Sequence, residues 1–124
     1  MLVDDLMQKP IIIERDMFLT DVAKLLTKNS ISSLIVVIGD KVSGIITARD
    51  LVAHFGEQKK VSEIMSKQVV TLKKGDKIQK AFDIIKDKEF SIIPVVDKKG
   101  AIVGTLYIKD ILNKACESED FMIE

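Results

Sequence analysis

This sequence offers little to covalent or metal chemistry. Its 124 residues include one cysteine, Cys116, and one histidine, His54. An internal disulfide is therefore excluded, and two soft ligands are too few for a structural zinc site. Tryptophan is absent, aromatic residues make up 5% of the chain, and arginine occurs only as Arg15 and Arg49, so platforms for stacking nucleic-acid bases are scarce. Long apolar runs are missing as well: Leu34 to Ile38 and Ile11 to Ile13 fall far short of the roughly 20 residues that span a bilayer. The opening Met1-Leu2-Val3-Asp4-Asp5 is acidic where a secretory leader is positive, which sets the expectation of a cytoplasmic domain with no membrane contact. No acid–base pair, nucleophile set or metal cluster is spaced for catalysis. A non-enzymatic protein is expected, with no catalytic and no metal-binding residue.

Hydrophobic residues at 47% and charged residues at 31% give an ordinary globular balance, and 19 basic groups cancel 19 acidic ones. The cancellation is not local. Residues 1–58 carry a net charge of −2, residues 59–116 hold 13 lysines against seven acids, and residues 117–124 carry −4. The basic half suggests an anion-attracting region, with an acidic C-terminal tail to lie over it. The alternative function to weigh is therefore a nucleic-acid-binding accessory protein that uses the lysine-rich second half.

The main result comes from self-similarity. Val3-Asp4-Asp5-Leu6-Met7 is answered by Val61-Ser62-Glu63-Ile64-Met65, and Ile11-Ile12-Ile13 by Val69-Val70-Thr71, both at an offset of 58. Leu19, Val22, Ala23, Leu25 and Leu26 match Ile78, Ala81, Phe82, Ile84 and Ile85 at 59, as Ser32 to Val37 match Ser91 to Val96. Gly44 to Val52 match Gly104 to Leu112 at 60, so two one-residue insertions in loops explain the drift. The chain divides into a first copy at 1–58, which includes a linker, a second at 59–116, and the tail at 117–124.

Each copy reads as helix-strand-helix-strand-strand-helix, an α+β fold. Asp4 or Ser62 is placed to N-cap a short turn ending at the methionine, and Asp16, Thr20 or Asp76 to start the next helix. Leu34 to Ile38 and Ile92 to Val96 are unbroken apolar runs, so those strands should be covered on both faces. Gly39-Asp40 and Lys98-Lys99-Gly100 supply turns into the third strand of each copy. A copy of about 58 residues buries too little surface alone, so the two are expected to pack as a pseudo-two-fold pair. His54 suits a helix C-terminus, Met7 and Met65 suit a core or a dimer seam, and Cys116 suits packing. Phe121-Met122-Ile123 reads as a docking cluster or a frayed end.

These motifs, with Ile93-Pro94-Val95-Val96-Asp97 and the closing Gly44-Ile45-Ile46-Thr47-Ala48-Arg49-Asp50 and Gly104-Thr105-Leu106-Tyr107-Ile108-Lys109-Asp110, resemble the cystathionine-β-synthase-type (CBS) domain. From Val3 to Lys114 the chain looks like a stand-alone CBS pair, or Bateman module. The resemblance implies a non-catalytic regulatory module that senses AMP, ADP, ATP or S-adenosylmethionine as ligand rather than required cofactor. It also implies homodimerisation, often into a disc of four repeats, and regulation of an unidentified protein. By the family's pattern the adenine lies against Ile12, Ile13, Leu34 and Ile35 in the first copy, and Val70, Thr71, Ile93 and Pro94 in the second. The chemistry of the closing motifs fits this. Asp50 and Asp110, near helix starts, can accept two hydrogen bonds from a ribose diol, or can simply cap the helix. Thr47 and the free helix amides can hold a phosphate, with Arg49 or Lys109 adding a cation. Tyr107 stands where the second copy should have that hydroxyl, either to stack on a base or to fill the pocket, so the first cleft is expected to be the better site.

Overall fold

The two unbroken apolar runs become the central strands of two sheets. In the computed structural model, which describes residues 1–87 and 91–117 apart from the side chains of 86, 87 and 115–117, Ile12–Ile13 (β1), Ser33–Ile38 (β2) and Lys41–Thr47 (β3) form one sheet. Leu72–Lys73 (β4), Ile92–Val96 (β5) and Ile102–Tyr107 (β6) form a second. In both, the first strand runs parallel and the third antiparallel to the central one. The helices are α1 (Leu19–Asn29), α2 (Ala48–Ala53), α3 (Val61–Ile64), α4 (Ile78–Asp87) and α5 (Ile108–Glu117), and Val3–Asp5 make a 3-10 turn where α3's counterpart stands. The α+β class and the element order are as expected. No described helix is long and apolar enough to cross a membrane. The expectations for Cys116 and for Phe121-Met122-Ile123 lie outside the described side chains, as does the path of the acidic tail.

The two compact units do not follow the two sequence copies. One unit is the continuous stretch Ile11–Val69, and the other joins Met1–Pro10 to Val70–Glu124. The cores show why. Val61 and Met65, from the second copy's opening motif, are buried with Ile13, Val22, Leu26, Leu34, Val36 and Ile46 of the first. Val3 is buried with Leu72, Ala81, Ile93, Val95, Leu106 and Ile111 of the second, with Leu6 and Met7 packed against them. Both central strands are buried along nearly their whole length on both faces, as their unbroken apolar runs require.

A methionine seats each opening motif. An alanine Cβ at Gly44 would meet Met65 Sδ at 2.5 Å, and one at Gly104 would meet Met7 Sδ at 2.5 Å. Only a residue without a side chain lets the thioether lie flat on the strand. The next residue then bridges to the sheet. Ser66 exchanges two backbone hydrogen bonds of 2.9 Å with Ile45, and Gln8 exchanges two of 2.9 Å with Thr105.

Three local expectations are corrected. First, register places Ile13 opposite Val36 and Leu72 opposite Val95, so Leu72, not Thr71, is the counterpart of Ile13. Thr71 corresponds to Ile12, and the first insertion falls before the strand rather than after it. Second, Asp4 and Ser62 lie inside their turns rather than capping them. The N-terminal amides of Leu2 and Lys60 are instead held by Asp5 at 2.9 Å and Glu63 at 2.8 Å. Third, Asp16 and Asp76 do not start helices. The N-cap of α1 is Phe18. Ser62 donates its amide to Asp16 at 3.0 Å and its hydroxyl at 2.6 Å, while Asp76 accepts the Lys73 amide at 2.7 Å. The Ser62 hydroxyl holds the Asp16 carboxyl below its ordinary range, partly opposed by burial.

Gly104→Ala should lower stability to urea by about 1–3 kcal/mol. Its cost should shrink in a Met7→Ala background, because the nearest neighbours of the new Cβ all belong to Met7. Gly44→Ala should be relieved less by Met65→Ala, since the Ser66 carbonyl stays 2.9 Å away. Strict additivity at Gly104 would refute the seat. A carboxyl lowered in the folded state stabilises above its unfolded pKa and stops doing so as pH falls through the folded value. The urea midpoint of Asp16→Asn should therefore trail the parent most near neutrality, and the gap should close on acidification below the ordinary carboxylate range.

Candidate functional site

The candidate residues gather where the third strand of each unit turns into a helix. In the unit of residues 11–69, β3 ends at Thr47 and α2 begins at Ala48. The Asp50 amide donates to Thr47 Oγ1 at 3.2 Å, while the Thr47 amide and hydroxyl donate to Asp50 Oδ2 at 2.9 and 3.0 Å. Threonine at the N-cap with an acid three residues on produces this reciprocal box. The Ala48 amide is used as well, by the Ser32 carbonyl at 2.8 Å. Two of the first three helix amides are thus satisfied internally, leaving that of Arg49, whose side chain is exposed. Both bonds to Asp50 fall on Oδ2, and Oδ1 takes part in neither.

In the other unit β6 ends at Tyr107 and α5 begins at Ile108, whose amide donates to the Ser91 carbonyl at 3.0 Å. Tyrosine in place of threonine changes the carboxylate's company. Asp110 Oδ2 accepts from Gln8 Nε2 at 2.5 Å, across 102 residues of sequence. Burial, and secondarily the negative charge of Asp110, push the Tyr107 phenol above its usual pKa. Asp5, Leu6, Gln8, Asp110, Asn113 and Lys114 line an open cavity of about 360 Å³ beside the pair. Lys109 is exposed.

The strand residues separate into two groups. Ile13, Leu34 and Ile93 are core residues of their own units. Ile12 lies opposite Ile35, and Ile35 opposite Ile45; Pro94 lies opposite Thr105. Ile12 and Val70 are half-buried, Thr71 is exposed, and Ile35 and Pro94 are buried outside the two core clusters. Sequence reasoning missed Gln8 and Thr105. The Thr105 hydroxyl, 1% exposed, is the one buried side-chain polar atom among the described residues with no hydrogen-bond partner. Thr105 stands where the first copy has the apolar Ile45, a difference visible in the repeat alignment; nothing in the sequence joins Gln8 to Asp110.

The CBS domain family model matches residues 3–57 and again residues 61–117. Inosine-5'-monophosphate dehydrogenase of Nitrosopumilus maritimus is 34% identical over 109 residues, which is 87% of this chain and 23% of that protein. Homoserine O-acetyltransferase of Methanocorpusculum labreanum is 32% identical over 109 residues, 86% of this chain and 22% of that protein. The chain therefore spans less than a quarter of either enzyme. Among solved structures, the CBS domain pair of protein MJ0100, in complex with 5'-methylthioadenosine and S-adenosyl-L-methionine, superposes with a TM-score of 0.84 at 29% identity, covering 94% of this chain and 97% of that one. Two successive family matches over almost the whole sequence, and two units of one topology, lead to one conclusion: the chain belongs to the CBS domain family, as a pair of CBS repeats.

Proposed function

We propose that this chain is a non-catalytic regulatory module that senses adenosine-containing small molecules and acts on a partner protein. The observation that carries the reading is the Thr47–Asp50 junction. A half-buried carboxylate keeps Oδ1 outside its helix cap, and the preceding residue, Arg49, is exposed with its amide outside the cap bonds. That is a donor and acceptor set suited to a ribose diol followed by a phosphate or another charged group. The half-buried Ile12 beside Ile35 offers an apolar flank for a purine. The adenosyl ligands of the MJ0100 pair support the same class. Two of the helix amides that would cradle a phosphate are already bonded, so the carboxylate matters more to recognition than the helix end. Ligand binding regulates by population shift, favouring whichever arrangement of the module holds the ligand best.

The assembly in this reading is a homodimer with four repeats in all. Val52 on α2 is 76% exposed, Phe55 just beyond it is 90% exposed, and Leu112 on α5 is 50% exposed. Large apolar side chains left this open on helices call for a covering surface, and a second copy supplies one.

A thermal-shift panel of AMP, ADP, ATP and S-adenosylmethionine should raise the melting temperature with at least one member, because a ligand bound only by the folded state stabilises it. Asp50→Ala should lose most of the ligand-induced rise, corresponding to about ten- to hundredfold weaker binding. The rise is compared with each protein's own baseline, since removing a cap lowers the unliganded melting point as well. An undiminished rise would refute the ribose assignment. Sedimentation should find the parent dimeric and a Val52→Asp, Phe55→Glu variant monomeric; a monomeric parent would remove the proposed seam.

A further inference from the structure

The two junctions share one scaffold, but their carboxylates are engaged differently. Asp50 is held from within its own helix start, by the Thr47 amide and hydroxyl. Asp110 is held from a distant segment, by the side-chain amide of Gln8. We propose that Gln8 sets the unequal affinity of the two junctions: its amide holds a position on Asp110 Oδ2 that one hydroxyl of a ribose diol would take, so a diol bridging both carboxylate oxygens must displace it. The proposal rests on the reading of Asp50 and Asp110 as ribose acceptors.

Geometry makes the latch local and releasable. Two backbone hydrogen bonds of 2.9 Å with Thr105 fix the main chain of Gln8, so the side chain alone must swing for Asp110 to be freed. The residue is exposed and borders the cavity of about 360 Å³, which leaves room for the swing and a route of approach. In the other unit Ser66 occupies the equivalent bridge, with two bonds of 2.9 Å to Ile45. A serine hydroxyl sits one carbon from the backbone, and no bond joins it to Asp50 among the described residues. Among the described residues the Asp50 carboxylate is therefore bonded only from its own helix start, by Thr47. Chemistry fixes the sign: Gln8 Nε2 already holds an acceptor position on Asp110 Oδ2, so a diol that bridges both carboxylate oxygens competes with it there.

The test measures AMP binding calorimetrically, with S-adenosylmethionine as a parallel probe, to the full chain carrying Asp50→Ala, with and without Gln8→Ser. Serine keeps the backbone bridge and copies Ser66. Gln8→Ser should strengthen the residual binding about ten- to hundredfold, and Asp110→Ala should abolish that gain. Unchanged or weaker binding on Gln8→Ser, in a protein whose parent binds in an Asp50-dependent way, would overturn the latch and leave the proposed function standing. Absence of binding by the parent and by the Gln8→Ser single variant would overturn both. A ligand-free readout separates the two further: Asp110→Asn should move the Gln8 side-chain amide resonances in an amide correlation spectrum, and an unmoved pair would overturn the latch alone.

Discussion

A methionine side chain laid flat on a glycine of the third strand ties each unit together, and most of the remaining structure is arranged around that contact. The seat accepts no Cβ, so the glycine is required by space rather than by backbone angle. Once Met65 is on Gly44 and Met7 on Gly104, the following residues fall beside the third strand and bridge to it. The helical turn before each methionine is carried into the core with it, through Val61 in one unit and Val3 in the other. A flexible thioether suits this role, since it can follow the bulged backbone at Val36/Val37 or Val95/Val96 without leaving a void.

The same contact explains how two copies with one topology come to differ at the place where they would act. Ser66 and Gln8 follow the seated methionines and are delivered to equivalent positions, yet one side chain is short and the other reaches a carboxylate. The strand-to-helix junctions diverge in step. Threonine gives the first a closed box with Asp50, whereas the second has a tyrosine, a half-buried phenol and an acid bonded elsewhere. The scaffold is duplicated and the sites are individual, as expected when function resides in grafted side chains rather than in the fold.

Much of this was legible in the residues, for identifiable reasons. Unbroken runs such as Leu34 to Ile38 can be satisfied only by burial on both faces, and Gly39-Asp40 takes up positive φ at 59° and 64° as a two-residue hairpin turn should. The polar cap candidates were harder. Asp4, Ser62, Asp16 and Asp76 all sit near helix starts, and spacing alone cannot tell a cap from a bond to a loop next to it in space. Val69-Val70-Thr71 is as β-prone as Ile11-Ile12-Ile13, so the shifted register shows only in the pairing of Leu72 with Val95 and in its burial. Because both copies carry the same opening motif, either could fill either core, and nothing local says that they trade places. Gln8 was invisible for that reason: its partner lies 102 residues away.

The traded segments impose a schedule on a chain made from its N-terminus onward. The unit of residues 11–69 is one uninterrupted stretch, so everything it needs has emerged once Val69 clears the ribosome. The other unit's Met1–Pro10 segment is made before the whole of the first unit and must wait unassembled until β6 and α5 are synthesised. Vectorial synthesis thus favours completing the Asp50 junction first, while Gln8 meets Asp110 only after α5 has been made.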